Sequence, residues 1–176
     1  STGLARSLSG PLLRMILCIN NAGVNYTHSP LLLVPYESAS KTVEVNLLGT
    51  FLLFREAIKI MKKKSFGRIV NLGSMAVKHE VKGEAIYTAS KAAIVSLTRV
   101  MAKEISSYGI TCNTVSPAAI DTDFIKQINN NGLNEVLSRN AIPNVGSLNE
   151  VSNTIDWLIN TESSAITGQS IYLGGA

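Results

Sequence analysis

The chain has 176 residues, 45% of them hydrophobic and 16% charged, with a formal net charge of +4 and a mean hydropathy of +0.20. That balance excludes a disordered or fibrous chain and fits one globular domain covering residues 1–176. The apolar runs Met15 to Ile19 and Leu31 to Val34 fall short of the ~20 residues a membrane span needs, and Ser1-Thr2-Gly3-Leu4 does not read as a secretory signal, so no membrane contact and a cytoplasmic address are expected.

In chain order, Ile16 to Ile19 is the first expected strand. From Thr42 to Met61, apolar residues at Val43, Leu47, Leu48, Phe51, Phe54, Ile58 and Met61 follow the three-and-four spacing of an amphipathic helix, which Phe66-Gly67 then stops. Lys62-Lys63-Lys64 suits the negative end of that helix's dipole; no stacking aromatics interleave with it, so a nucleic-acid partner is not expected. Arg68 to Leu72 reads as a strand buried on both faces, Met75 to Glu84 as a loop, and Ala85 to Ser107 as a long helix rich in small residues, ended by Tyr108-Gly109. Ile110 to Ser116 is a further strand, closed by Pro117. Ser147 and Glu150 have capping-box spacing ahead of a helix carrying Val151, Ile155, Leu158 and Ile159, and Ile171-Tyr172-Leu173 is a short final strand. Alternating strands and helices imply an α/β fold, a doubly wound parallel sheet of Rossmann type. Cys18 and Cys112 sit in separate apolar runs without metal-ligand spacing, so reduced thiols and no metal site are expected.

Chemistry enters at Tyr87 and Lys91. Four residues apart on a helix, they project from one face, and a cation beside a phenol stabilises the phenolate and lowers a pKa that is otherwise about 10. Thirteen residues before Tyr87, Ser74 follows a strand at the carboxyl edge of the sheet, where open α/β folds place their sites. The Ser74, Tyr87, Lys91 spacing resembles the catalytic signature of the short-chain dehydrogenase/reductase family. Other segments resemble that family in order: Asn20-Asn21-Ala22-Gly23, Val45-Asn46-Leu47, Pro117-Ala118-Ala119-Ile120-Asp121-Thr122, Thr167-Gly168-Gln169 and Gly174-Gly175.

The resemblance implies an oxidoreductase that interconverts a carbonyl and a secondary alcohol with NADP or NAD. In that reading Tyr87 is the acid/base, Ser74 polarises the substrate oxygen, Lys91 lowers the Tyr87 pKa and bonds the nicotinamide ribose, and Asn46 holds a water linking Lys91 to solvent. Asn21, Ala22, Gly23, Pro117, Ile120 and Thr122 would line the cofactor cleft with Tyr87 and Lys91. Gly83-Glu84-Ala85-Ile86-Tyr87 and Ile120-Asp121-Thr122-Asp123 look most like 3-oxoacyl-carrier-protein reductases, which implies a small or carrier-linked carbonyl substrate and a homodimer or homotetramer for the complete protein. A sugar, steroid or alcohol dehydrogenase, or a non-catalytic partner subunit, is the alternative. His28 and His79 receive no role, since neither shows an orienting carboxylate at a telling spacing.

Ala118 and Leu173 depart from the family's usual glycine and acidic residue. The larger departure is at the start. Thr2 to Gly10 lacks the Thr-Gly-x-x-x-Gly-x-Gly spacing that cradles a pyrophosphate, so a piece of a longer gene product is expected, with Ile16 to Ile19 as an exposed apolar sheet edge.

Overall fold

The computed structural model describes residues 17–26, 28–120, 134 and 137–175, and within them the β-branched runs form one parallel sheet. Its strands are β1 (Leu17–Asn20), β2 (Gly67–Leu72), β3 (Ile110–Ser116) and β4 (Ser170–Tyr172), side by side in that order. Register places Cys18, Ile69 and Cys112 in one row, and Asn20, Asn71 and Thr114 in another on the same face. The last strand lies one residue earlier than its apolar run suggests, although Leu173 N still donates to Ser116 O at 3.0 Å.

Parallel neighbours require crossovers, and helices cover both faces of the sheet. Ile69 and Cys112 pack against Phe54, Met61, Ala102 and Ile105 on one face. Val70 and Val115 pack against Val151 and Leu158 on the other. This is the doubly wound α/β arrangement expected from the sequence. At the outer side of the described sheet β1 leaves Leu17 and Ile19 38% and 42% exposed, as expected for an apolar edge.

The first long helix starts earlier than its apolar pattern and is not uniform. It runs as α1 (Tyr36–Val43), a π-helical turn (Glu44–Gly49) and α2 (Thr50–Lys62). Only Thr42 is buried in α1, so its first turns carry no apolar stripe from which to read them. The segment expected as a loop after β2 contains a single helical turn, α3 (Ala76–His79), too short to show a period. Beyond it α4 (Ala85–Ile105) spans the sheet. The last helix, α5 (Leu148–Ile159), opens on a complete capping box: Glu150 N donates to Ser147 Oγ at 3.3 Å and Ser147 N donates to Glu150 Oε2 at 2.6 Å.

A row of buried polar groups crosses the sheet beneath α4. Asn20 Nδ2 donates to Asn71 Oδ1 at 2.7 Å, Asn71 Nδ2 to Thr98 Oγ1 at 2.7 Å, and Thr114 Oγ1 to Thr98 Oγ1 at 3.0 Å. Thr98 donates its own proton to Ile94 O, so one donor and two lone pairs are all used. Polar groups removed from water must be satisfied in this way, and the row pins β1, β2, β3 and α4 to one register.

Candidate active site

The site is assembled where β2 and β3 end. Past Leu72 the ladder continues irregularly: Gly73 N donates to Val115 O at 2.8 Å and Met75 N to Pro117 O at 3.0 Å, which fixes Ser74 between them. A Cβ at Gly73 would collide with Ser116 Oγ, so the two chains approach this closely only because Gly73 has none. Ser74 Oγ accepts from Ala76 N at 3.1 Å, tying the hydroxyl to the start of α3.

Opposite Ser74, the first turns of α4 bring Tyr87 and Lys91 to the same edge. The Ser74 hydroxyl is a near neighbour of the Tyr87 phenol. Burial raises the Tyr87 pKa above its ordinary value, the Ser74 hydroxyl draws it down, and repulsion from Glu84 raises it further. The sequence reading had Lys91 lowering this pKa, but Lys91 is not among the groups that move it and desolvation dominates. Lys91 Nζ lies 5.9 Å from the Tyr87 ring centroid and donates to Leu72 O at 2.9 Å. At 6% exposure its ammonium is deep enough for burial to bring the pKa down to about 8.

The segment after β1 closes over the lysine. A Cβ at Gly23 would stand 3.0 Å from Lys91 Nζ and 3.6 Å from Asn46 Oδ1, so glycine here lets the segment pass close to the ammonium. Asn46, buried in the π-helical turn, holds this segment by accepting from Val24 N at 2.8 Å and donating to Val24 O at 3.0 Å and Ser90 Oγ at 2.9 Å. Both amide hydrogens are therefore committed to protein partners. A π turn is a common way of aiming one residue inward from a helix at a functional site.

Among the remaining expected residues, Asn21 and Ala22 are exposed beside Gly23, and Pro117 follows β3 half-buried. Ile120 packs toward Val70 and Val115 and bridges Gly146 in a parallel pair. The Ala118 methyl is accommodated beside Gly174. Thr122, Asp121 and Asp123 lie outside the described residues, as do Thr2 to Gly10 and most of the segment Phe124 to Asn140.

Two contacts were missed by the sequence reading. Glu84 Oε1 lies 3.5 Å from His28 Nδ1 and accepts from Asn25 Nδ2 at 3.4 Å, so His28 does have a carboxylate neighbour, 56 positions away in sequence. His79 Nε2 stands 2.8 Å from Asn140 Oδ1, joining α3 to the chain ahead of Gly146. Neither pair has local spacing that could announce it.

A doubly wound sheet with a serine, tyrosine and lysine gathered at its carboxyl edge defines the class: an α/β protein built for chemistry at the strand ends. A family described as enoyl-(acyl carrier protein) reductase matches residues 8–175. The chain belongs to the short-chain dehydrogenase/reductase family. It is 34% identical over 160 residues to the 3-oxoacyl-[acyl-carrier-protein] reductase FabG of Vibrio cholerae, covering 90% of this chain and 65% of that protein. The crystal structure of a proposed gluconate dehydrogenase from Agrobacterium tumefaciens superimposes with a TM-score of 0.86 at 31% identity, covering 90% of this chain and 63% of that one. A variant of actinorhodin polyketide ketoreductase with NADPH gives 0.81 at 27% identity, over 90% of this chain and 66% of that one. The chain thus spans about two thirds of the length of these relatives.

Proposed function

We propose that this chain carries the catalytic part of an NAD(P)-dependent oxidoreductase that interconverts a carbonyl and a secondary alcohol. The observation that carries the reading is the buried ammonium of Lys91 5.9 Å from the Tyr87 ring centroid, with the Ser74 hydroxyl a near neighbour of the phenol. A neutral phenol is a competent acid. Tyr87 donates its proton to the substrate carbonyl oxygen, Ser74 bonds the same oxygen, and Lys91 stabilises the phenolate that remains. In the oxidative direction Tyr87 takes the proton back.

The residues present fit a nicotinamide cofactor. Gly23 has no side chain over Lys91, and Lys91 Nζ makes one hydrogen bond, to Leu72 O, leaving donors for ribose hydroxyls. The cofactor, when bound, supplies or accepts the hydride. Asn21, Ala22 and Gly23 would hold one side of it, and Pro117, Ile120 and Thr122 the other, with Asn46 keeping the Val24 segment in place. With its side-chain amide hydrogens engaged, Asn46 would hold a relay water through other atoms.

Similarity to FabG and to a ketoreductase supports NADP over NAD and a 3-oxoacyl, carrier-linked substrate. Small sugars or alcohols remain the alternative, given the gluconate dehydrogenase likeness. A homodimer or homotetramer in the cytoplasm completes the proposal; among the described residues no helix is long and apolar enough to cross a membrane. The test is NADPH and NADH oxidation with a 3-oxoacyl thioester. Tyr87→Phe is expected to lower kcat by roughly 100- to 10,000-fold, the usual range of general acid catalysis. Turnover at the unsubstituted rate would remove Tyr87 from the mechanism.

A further inference from the structure

Arg68 lies near the start of β2, at the opposite edge of the sheet from Ser74, six residues and about 20 Å away at ~3.3 Å per residue. It is 2% exposed, and burial pulls its pKa below the ordinary arginine value. The guanidinium lies 4.4 Å over the Phe66 ring. Nη1 donates to Gly67 O at 3.0 Å, Nη2 reaches Thr161 O at 3.5 Å, and Nε has no partner. No carboxylate pairs with it among the described residues. A cation this little exposed ordinarily has a counter-charge, because desolvation of an unpaired ion is costly.

Arg68 lines a pocket of about 310 Å³ together with Ser65, Ser106, Thr111, Thr161, Ser164 and Thr167. Thr111 is 5% exposed and its Oγ1 also lacks a partner. The two residues carrying these orphaned groups sit on neighbouring strands and both line one pocket, which Phe66, Gly109 and Ile110 also line and which has no acidic side chain. Exposed Lys62, Lys63 and Lys64 lead directly into Ser65, and exposed Lys103 lies three residues before Ser106. Glu104 and Glu162 are the carboxylates adjacent in sequence to this region; both are exposed and neither pairs with Arg68.

We propose that this pocket binds the phosphate group of a small phosphorylated molecule or inorganic phosphate itself, with Arg68 as the cation and Thr111 among the hydroxyl donors. A guanidinium presents its donors in a fork that suits phosphate oxygens. The volume sits at the lower end of small-molecule sites, which favours a compact monoester. Lying at the far end of the strands, the site is separate from the proposed hydride chemistry and stands without it.

The experiment is a titration of the whole chain, first with inorganic phosphate and then with glycerol phosphate, followed by NMR at the Arg68 Nε–H and the Thr111 and Ser164 amides. Saturable shifts at all three are expected. Thr111→Val keeps the shape while removing the orphaned hydroxyl, and Ser164→Glu places a carboxylate at an exposed position of the lining; each should weaken binding by at least roughly tenfold, or ~1.4 kcal/mol. Both avoid the risk that replacing Arg68 unfolds β2. Tighter binding of the monoester would support a phosphorylated molecule, and equal binding would support free phosphate. Absence of saturable shifts, or binding that survives both substitutions, would overturn the site.

Discussion

Lys91 carries the largest single conflict between burial and charge at the proposed catalytic edge. Its ammonium titrates near 10.5 in an unfolded chain and at about 8 when folded, so below pH 8 it is charged in both states and its burial opposes folding. A gap of that size corresponds to about 3 kcal/mol, of which the bond lost to Leu72 O offsets about 1 kcal/mol when the side chain is replaced. Lys91→Met is thus expected to stabilise the chain by about 2 kcal/mol at pH 7. The advantage should shrink as pH rises from about 8 toward 10.5, because the unfolded lysine then loses its proton too. Urea melts of both proteins across that window measure it. A pH-independent difference would mean that the lysine is not held as a desolvated cation. Stability gained by removing a proposed catalytic group is what a strained active site predicts.

At the scale of elements, Asn46 shows how a departure from helical regularity serves the site. The π turn lets one buried amide clamp the Val24 segment with three hydrogen bonds, two to the backbone of Val24 and one to Ser90. Asn46→Ala removes all three and should cost about 2–3 kcal/mol. Hydrogen exchange would localise the effect: the Val24 amide should lose protection while the Ile69 and Val70 amides keep theirs relative to global stability. Uniform loss along β2 would instead make Asn46 a general core residue. This turn was not legible in the sequence, because apolar residues from Val43 to Met61 keep a helical spacing straight through it. The strands were legible, since short β-branched runs between breakers have few alternatives in an α/β chain. Ser74, Tyr87 and Lys91 were singled out by their resemblance to a family signature, since a tyrosine and a lysine sharing a helix face are weak evidence alone; the structure places Tyr87 and Lys91 on α4 and Ser74 just past β2. The Asn20 to Asn71 pair could not, being 51 residues apart and formed by register alone.

For the whole molecule, the question is which apolar surfaces remain uncovered. Phe54 and Met61 on α2 fill the core, yet Leu48, Phe51 and Leu52, at three-and-four spacing, stay 51%, 45% and 49% exposed. A helix with apolar residues on its outer face as well as its core face is suited to a contact with a further surface. Flanking charges are already engaged: Glu56 pairs with Lys59 at 2.8 Å and Arg55 at 3.0 Å, leaving the stripe bordered by neutralised groups. Self-association through α2 is therefore expected, and it is measurable by sedimentation velocity over a concentration series. Leu52→Glu should weaken it by at least roughly tenfold with little effect on unfolding, since Leu52 contributes nothing to the described core. The competing surface is β1, the outer strand among the described residues, where Leu17 and Ile19 are exposed. Leu17→Lys would break association there by the same means that natural edge strands use against pairing. If Leu17→Lys dissolves the assembly and Leu52→Glu leaves it intact, the open edge drives association and the helical interface is wrong; a chain that stays monomeric at ~100 µM, where even a 1 µM complex would form, excludes both.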